Sequence, residues 1–166
     1  MIILEGSDLS GKSTLAKALQ DNYGYEIVKC SQPRPGRAYN EYVQKIIKAE
    51  PNTVFDRHFL GELVYGPLKR GKCQLNPMQI SDIINLLKEK NCTLIYCNAP
   101  MDFIKSKFKE RGEDFVTIKE IEKVKLAYEK ELLWLKKYLN VVVYNIPTKI
   151  IPKVCQQNYT NNHSRR

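Results

Sequence analysis

Residues 6–14, Gly-Ser-Asp-Leu-Ser-Gly-Lys-Ser-Thr, place two glycines, a lysine and several hydroxyls directly behind the first hydrophobic run of the chain. The spacing of Gly6 and the Gly-Lys-Ser that begins at residue 11 is typical of a loop that cradles the phosphates of a nucleoside triphosphate. The two glycines let the backbone curl around an anion, and the helix that follows adds its positive N-terminus. We therefore expect Lys12 to bridge the β- and γ-phosphates and the Ser13 hydroxyl to ligate magnesium.

A carboxylate and a guanidinium stand side by side after another short hydrophobic run, at Asp56 and Arg57. A carboxylate at the end of a strand can hold magnesium or accept a proton from the nucleophile, whereas a structural reading of Asp56 is a helix cap or a salt bridge. Arg57 has the planar fork that grips phosphate, and its alternative is an ordinary surface arginine. The pair is the second candidate site of the chain.

A third candidate lies in residues 105–112, which contain four cations followed by a glycine that could act as a hinge. Phosphoryl transfer needs positive charge on the migrating group, and a lid often supplies it. Lysines on a helix also serve simply as a solvated face. We favour Arg111, next to the glycine, as the catalytic lid residue.

Alternating strands and helices must position these groups. Strands are predicted at 1–5, 25–30, 53–55, 93–97 and 141–144, and helices at 11–23, 39–49, 59–65, 77–88, after Pro100, and at 118–139. This order predicts an α/β fold in which helices cover both faces of a five-stranded parallel sheet, with ligands at the carboxyl ends of the strands. We expect one domain over residues 1–155, with a lid around 101–117 and a frayed tail from 156 to 166.

Composition narrows the class of protein. The 166 residues are 43% hydrophobic, which is enough for one sizeable core, and the net charge of +9 suits phosphorylated small molecules or polyanions as partners. A nucleic acid is therefore compatible with the sequence without being required. Five cysteines without close pairing predict neither a disulfide framework nor a zinc site. The hydrophobic runs are too short to span a membrane, so we expect a cytoplasmic protein without a membrane partner.

The motifs resemble those of the thymidylate kinase branch of P-loop nucleoside and nucleotide kinases. The family's Glu-Gly-x-Asp-x-x-Gly-Lys-Ser-Thr corresponds to residues 5–14, and its Asp-Arg-Tyr/His to residues 56–58, with a downstream tyrosine matched by Tyr65. The resemblance implies ATP and Mg2+ as cofactors, a nucleotide substrate and a homodimer. It implies that Asp8 binds the sugar 3′-hydroxyl and that Arg57 holds the acceptor phosphate. The cofactor-binding residues that it implies are Gly6, Asp8, Ser10, Gly11, Lys12, Ser13 and Thr14.

The chain also departs from the family. Leu9 stands where some members have a catalytic arginine, which shifts that role to Arg111. The arginine after the second strand is missing, so Arg34 or Arg37 would have to replace it in substrate binding. Deoxynucleoside kinases have a glutamate base where Gln32 stands here, and an amide cannot remove a proton from a hydroxyl.

Two glycines, Gly61 and Gly66, replace polar residues that read thymine in many members of the family. We expect them to open space for a larger or modified base, or for a nucleotide within DNA. The leading hypothesis is magnesium- and ATP-dependent phosphoryl transfer to a deoxynucleoside monophosphate. The alternative is a kinase acting on a hydroxyl of a deoxynucleoside or of a modified base in DNA.

Overall fold

The computed structural model describes residues 1–111, 117–147, 151–153 and 155, with Arg111 described by its backbone alone. Its strands and helices alternate nearly as the sequence predicts. In chain order the elements are β1 (Ile2–Glu5), α1 (Lys12–Tyr23), β2 (Glu26–Lys29), α2 (Ala38–Lys48), β3 (Thr53–Asp56), α3 (Phe59–Arg70), α4 (Pro77–Glu89), β4 (Thr93–Asn98), α5 (Met101–Arg111), α6 (Ile118–Leu135) and β5 (Asn140–Asn145).

The five strands form one sheet in the order β2-β3-β1-β4-β5, and every neighbouring pair is parallel. In this register Lys29 and Leu4 both lie opposite Asp56, and Glu5 lies opposite Tyr96. Because all strands point the same way, the residues that end β1, β2 and β3 meet at one rim of the sheet. The phosphate-loop candidate and the Asp56–Arg57 pair are therefore neighbours, as the sequence predicts.

Alternation along the buried strands explains the packing on the two faces of the sheet. Ile3, Phe55 and Leu94 belong to a core that also contains residues of α2, α3, α4 and α6. Ile2, Leu4 and Ile95 point the other way and pack against α1. Side chains alternate between the faces of a strand, so runs of apolar residues supply both cores at once.

Helix α3 is longer than the sequence predicts. It continues to Arg70 with Pro67 inside it, although proline normally ends or kinks a helix. Buried Glu62 accepts from Arg70 Nη2 with both carboxylate oxygens, each at 2.6 Å, and from the Gln74 backbone N–H at 2.9 Å. These charge-assisted bonds hold the last turn and the following loop against the helix. Helix α6 is shorter than predicted, because residues 136–138 form turns after Leu135.

Within the described residues, no helix combines the length and the apolar composition that a membrane crossing requires.

Candidate functional site

The loop between β1 and α1 has the backbone of a phosphate cradle. Gly6 has a φ of +147°, and a Cβ there would lie 2.7 Å from the carbonyl oxygen of Cys97, so only glycine fits this close approach to β4. Gly11, at the start of α1, has a φ of +77°, and Leu9 between them also has a positive φ of 61°. The curled loop thus leads directly into a helix N-terminus, where anions are favoured.

Lys12 is the first residue of α1, and its side chain lies buried under this loop. Its ammonium group donates to the carbonyl oxygens of Gly6 at 2.9 Å and Ser7 at 2.6 Å, and to Ser10 Oγ at 3.4 Å. Burial, followed by the charge of Arg57, lowers the pKa of Lys12 to about 8. The side chain therefore still carries its proton on most molecules at neutral pH and presents a cation within the loop.

Ser13 and Asp56 form the candidate magnesium site. Ser13 Oγ donates to Asp56 Oδ2 at 3.3 Å, which links the start of α1 to the end of β3. Mg2+ prefers oxygen ligands and is commonly held by one or two protein groups together with water and substrate phosphates. A hydroxyl and a carboxylate side by side fit that requirement, as the sequence predicts for these two residues.

Arg57, Asp8 and Tyr65 form one hydrogen-bonded cluster beside the loop. Arg57 Nη2 forms an ion pair with Asp8 Oδ1 and donates to the Tyr65 hydroxyl at 3.4 Å, while that hydroxyl donates to Asp8 Oδ2 at 3.1 Å. The guanidinium also lies over the Tyr65 ring, 5.1 Å from its centroid. Burial by itself raises the pKa of Asp8, but the charges of Arg57 and Lys12 outweigh it and the pKa is lowered.

A cleft of about 830 Å3 collects most of the predicted residues. Seven of the residues that line it come from the loop, the start of α1 and the end of β3 and were predicted from the sequence: Asp8, Ser10, Gly11, Lys12, Ser13, Thr14 and Asp56. Arg57 lines it as well. The side chain of Arg111 and most of the proposed hinge lie outside the described residues, so its catalytic role stays a prediction.

Arg34 and Arg37 lie elsewhere. Both line a second groove, of about 930 Å3, between β2 and α2, and Arg34 Nε donates to Glu41 Oε1 at 2.7 Å. Gln32 lines this groove too. The groove meets the cleft at Lys29 and Ser31, which line both. In this conformation, therefore, neither arginine lines the cleft that contains Lys12, and their role in substrate binding stays a prediction.

Residues of α5, which belong to the predicted lid around 101–117, form a wall of the cleft. Phe103, Lys107, Phe108 and Glu110 line it, and Lys107 Nζ is 2.6 Å from Glu110 Oε2. Of the three lysines at 105, 107 and 109, only Lys107 is among the residues that line this cleft. The sequence alone could not distinguish Lys107 from Lys105 and Lys109, because the packing of α5 decides which side of this helix faces the cleft.

Gly61 and Gly66 do not open space for a base, so that prediction is wrong. A Cβ on Gly66 would lie 2.9 Å from Glu62 Oε1 and 3.0 Å from the carbonyl oxygen of Lys72, because the loop after α3 packs onto it. A Cβ on Gly61 would lie 3.7 Å from both Glu5 Oε2 and the Tyr128 hydroxyl. Gly66 therefore permits close packing, and Gly61 faces the protein interior.

Comparison with known proteins identifies this fold. No family model matches the chain. Over 134 residues, 78% of the chain and 80% of the relative, the sequence is 29% identical to YorR, an uncharacterized SPbeta prophage-derived protein of Bacillus subtilis (strain 168). The crystal structure of YorR in complex with phosphorylated GDP is similar to it with a TM-score of 0.78 and 22% identity, covering 99% of this chain and 96% of that one.

Two kinases of named activity have the same fold. Deoxyadenosine kinase from M. mycoides with bound dCTP matches at a TM-score of 0.59 and 19% identity over the whole of both chains. Thymidylate kinase from Candida albicans matches at 0.54 and 18%, covering 99% of this chain and 91% of that one. The chain thus has the fold of the P-loop nucleoside and nucleotide kinases, which confirms the predicted fold and the resemblance that its motifs indicated.

Proposed function

We propose that this protein, which has the P-loop kinase fold, transfers the γ-phosphate of ATP to a deoxynucleoside monophosphate in the presence of Mg2+. The observation that carries the proposal is the convergence of four groups on one cleft: Lys12 under the loop, the Ser13–Asp56 pair at 3.3 Å, and Arg57 beside them. Each supplies what phosphoryl transfer requires, namely positive charge on phosphate oxygens, ligands for a divalent cation, and a clamp for a second phosphate.

The roles divide according to the geometry of the cleft. The curled loop and Lys12 would bind the donor phosphates, and Ser13 with Asp56 would hold the magnesium ion, which neutralises charge on the phosphate oxygens when bound. Arg57 would bind the acceptor phosphate through its bidentate fork. Asp8 and Tyr65 fix the guanidinium on one side, and Asp8 would accept from a sugar 3′-hydroxyl.

A monophosphate is the preferred acceptor because it needs a clamp and no separate base. Its phosphate oxygens are already ionised at neutral pH, whereas a sugar hydroxyl needs a group that removes its proton. Gln32 cannot supply that function, and it lies in the second groove. Asp56 is engaged with Ser13, where a magnesium ligand is required.

One observation favours the alternative, a kinase for a hydroxyl of a deoxynucleoside or of a modified base in DNA. The groove between β2 and α2 continues from the cleft and is lined by more cations than carboxylates, with Lys29, Arg34, Arg37, Lys45 and Lys48 against Glu26, Glu41 and Glu50. Flanking phosphates of a strand would find cations there. The predicted opening at Gly61 and Gly66 no longer supports this candidate.

The deciding experiment follows labelled phosphate into products. Purified protein is incubated with Mg2+ and ATP labelled on its γ-phosphate, together with deoxynucleosides, their monophosphates, or DNA with ordinary and hydroxymethylated bases. We expect label in at least one monophosphate, and Lys12→Ala to abolish it. Label confined to a nucleoside or to DNA would transfer the proposal to the second candidate. Background labelling of every acceptor by folded protein would contradict both.

A further inference from the structure

A buried carboxyl, Glu5, joins the phosphate loop to the turn that carries Arg57. Glu5 ends β1, immediately before Gly6, and is fully buried. Its Oε1 accepts from the backbone N–H of His58 at 2.8 Å and of Gly61 at 3.3 Å, and its Oε2 accepts from the Tyr128 hydroxyl at 2.9 Å. Three donors from two other elements of the fold thus satisfy one carboxyl.

These bonds make Glu5 a cap for α3. The residue before this helix, His58, provides no side-chain cap, so the first N–H groups need an acceptor from elsewhere. Glu5 supplies it with its Oε1 from a position more than fifty residues earlier in the chain. The carboxyl therefore fixes the start of α3 relative to β1.

Arg57 sits in the turn between these anchors in a strained conformation. Its φ is +68°, in the left-handed region that costs a non-glycine residue on the order of 1 kcal/mol or more. The Arg57 N–H donates to the carbonyl oxygen of Leu4 at 2.9 Å, and the next N–H, that of His58, donates to Glu5. The end of β1 thus holds the turn through two consecutive residues and directs the Arg57 side chain towards Asp8.

Tyr128 extends this connection to α6. Its side chain is fully buried, its hydroxyl bonds Glu5, and its ring meets the Tyr65 ring edge-on with centroids 6.2 Å apart. Tyr65 in turn bonds both Asp8 and Arg57. Tyr128 therefore contacts both Glu5, which binds the backbone N–H next to Arg57, and Tyr65, which packs against the Arg57 guanidinium.

We infer that Glu5 and Tyr128 are positioning residues that set Arg57 for the acceptor phosphate, an inference that rests on the proposed function. Burying a carboxyl inside a protein costs free energy. If the only role of Glu5 were to fill space, an apolar side chain would do so at a lower free-energy cost. Its bonds go to the backbone on the C-terminal side of Arg57 and to the helix that packs behind Tyr65. Neither residue lines the cleft, so both act through Arg57.

The test compares Tyr128→Phe with Tyr96→Phe. Each variant loses one hydroxyl from a buried tyrosine, and the two rings are neighbours with centroids 5.9 Å apart. Tyr128→Phe is expected to raise the KM for the monophosphate about 10-fold and leave the KM for ATP within about 2-fold, because misplacement of one clamp affects one substrate. Tyr96→Phe should change neither. Equal behaviour of the two variants, or a parallel loss for both substrates, would overturn the inference.

A second measurement separates this inference from the proposed function. Amide hydrogen exchange followed by NMR is expected to become faster at His58 and Gly61, at the start of α3, in both Tyr128→Phe and Glu5→Gln. The exchange rates of the β1 amides should not change. If no monophosphate is turned over, dTMP affinity measured by calorimetry replaces the KM, and a loss specific to Tyr128→Phe still supports the inference. Unchanged exchange at His58 and Gly61 together with unchanged affinity would refute it.

Discussion

The substitution Glu5→Gln tests the buried carboxyl through the pH dependence of stability. Burial raises the pKa of Glu5 from 4.5 to about 7, against the opposing effect of its hydrogen bonds and of the cations of Arg57 and Lys12. Between these two values the folded protein holds a proton that the unfolded chain has released. The free energy of unfolding of the wild-type protein relative to that of Glu5→Gln is therefore highest at low pH, and it falls as the pH rises through about 7.

The magnitude follows from the interval between the two pKa values. At about 1.36 kcal/mol per pH unit, the wild-type free energy of unfolding should fall by about 2.5 kcal/mol relative to Glu5→Gln between pH 5 and pH 8. Urea unfolding of both proteins at several pH values measures this difference, and all other titrating groups cancel. A difference that stays constant from pH 5 to pH 8 would refute the raised pKa of Glu5.

Three further predictions concern the turn, the helix and the metal ligands. Burial lowers the pKa of His58 to about 3, so the folded protein does not take up the proton that the unfolded chain binds as the pH falls. The free energy of unfolding of the wild-type protein should therefore fall by about 2 kcal/mol relative to that of His58→Phe between pH 8 and pH 5, as measured by urea unfolding. A difference that does not change with pH would contradict this prediction. Gly66→Ala should destabilise the protein by about 1–2 kcal/mol in the same assay, because its Cβ would overlap Glu62 and the loop, whereas Gly61→Ala should not; equal effects would refute this explanation. Ser13→Ala should raise the Mg2+ concentration needed for half-maximal turnover, and an unchanged Mg2+ titration would exclude Ser13 as a ligand.

Local sequence patterns predict the fold because they determine its elements. The apolar runs that become β1 and β4 and the periodic stripe of α6 contain their own structural signals, and glycine and proline mark most of the boundaries. One helix that departs from these signals is α3, which continues through Pro67 because the pair of Glu62 and Arg70 holds its last turn. A bond between side chains eight residues apart leaves no periodic signal in the sequence.

The part of the candidate site that lies within one sequence motif could be predicted from the sequence. Residues 6–14 are contiguous, and a parallel sheet brings the end of β3 beside them. The support of Arg57 was not predictable, because Tyr128 lies 123 residues from Glu5 and their contact depends on the packing of α6. The same contact explains why Gly61 was misread, since the surroundings of a glycine are set by distant residues.

The central claim, phosphoryl transfer in the cleft between Lys12 and Asp56, is tested most directly by acceptor-dependent formation of ADP. ADP production is measured with Mg2+ and each deoxynucleoside monophosphate in the wild-type protein, in Asp56→Asn and in Lys105→Ala, whose lysine does not line the cleft. We predict acceptor-dependent ADP in the wild-type protein and in Lys105→Ala, and a loss of about 100-fold in Asp56→Asn. ADP formation that is independent of the acceptor, or equal in all three proteins, would contradict the account.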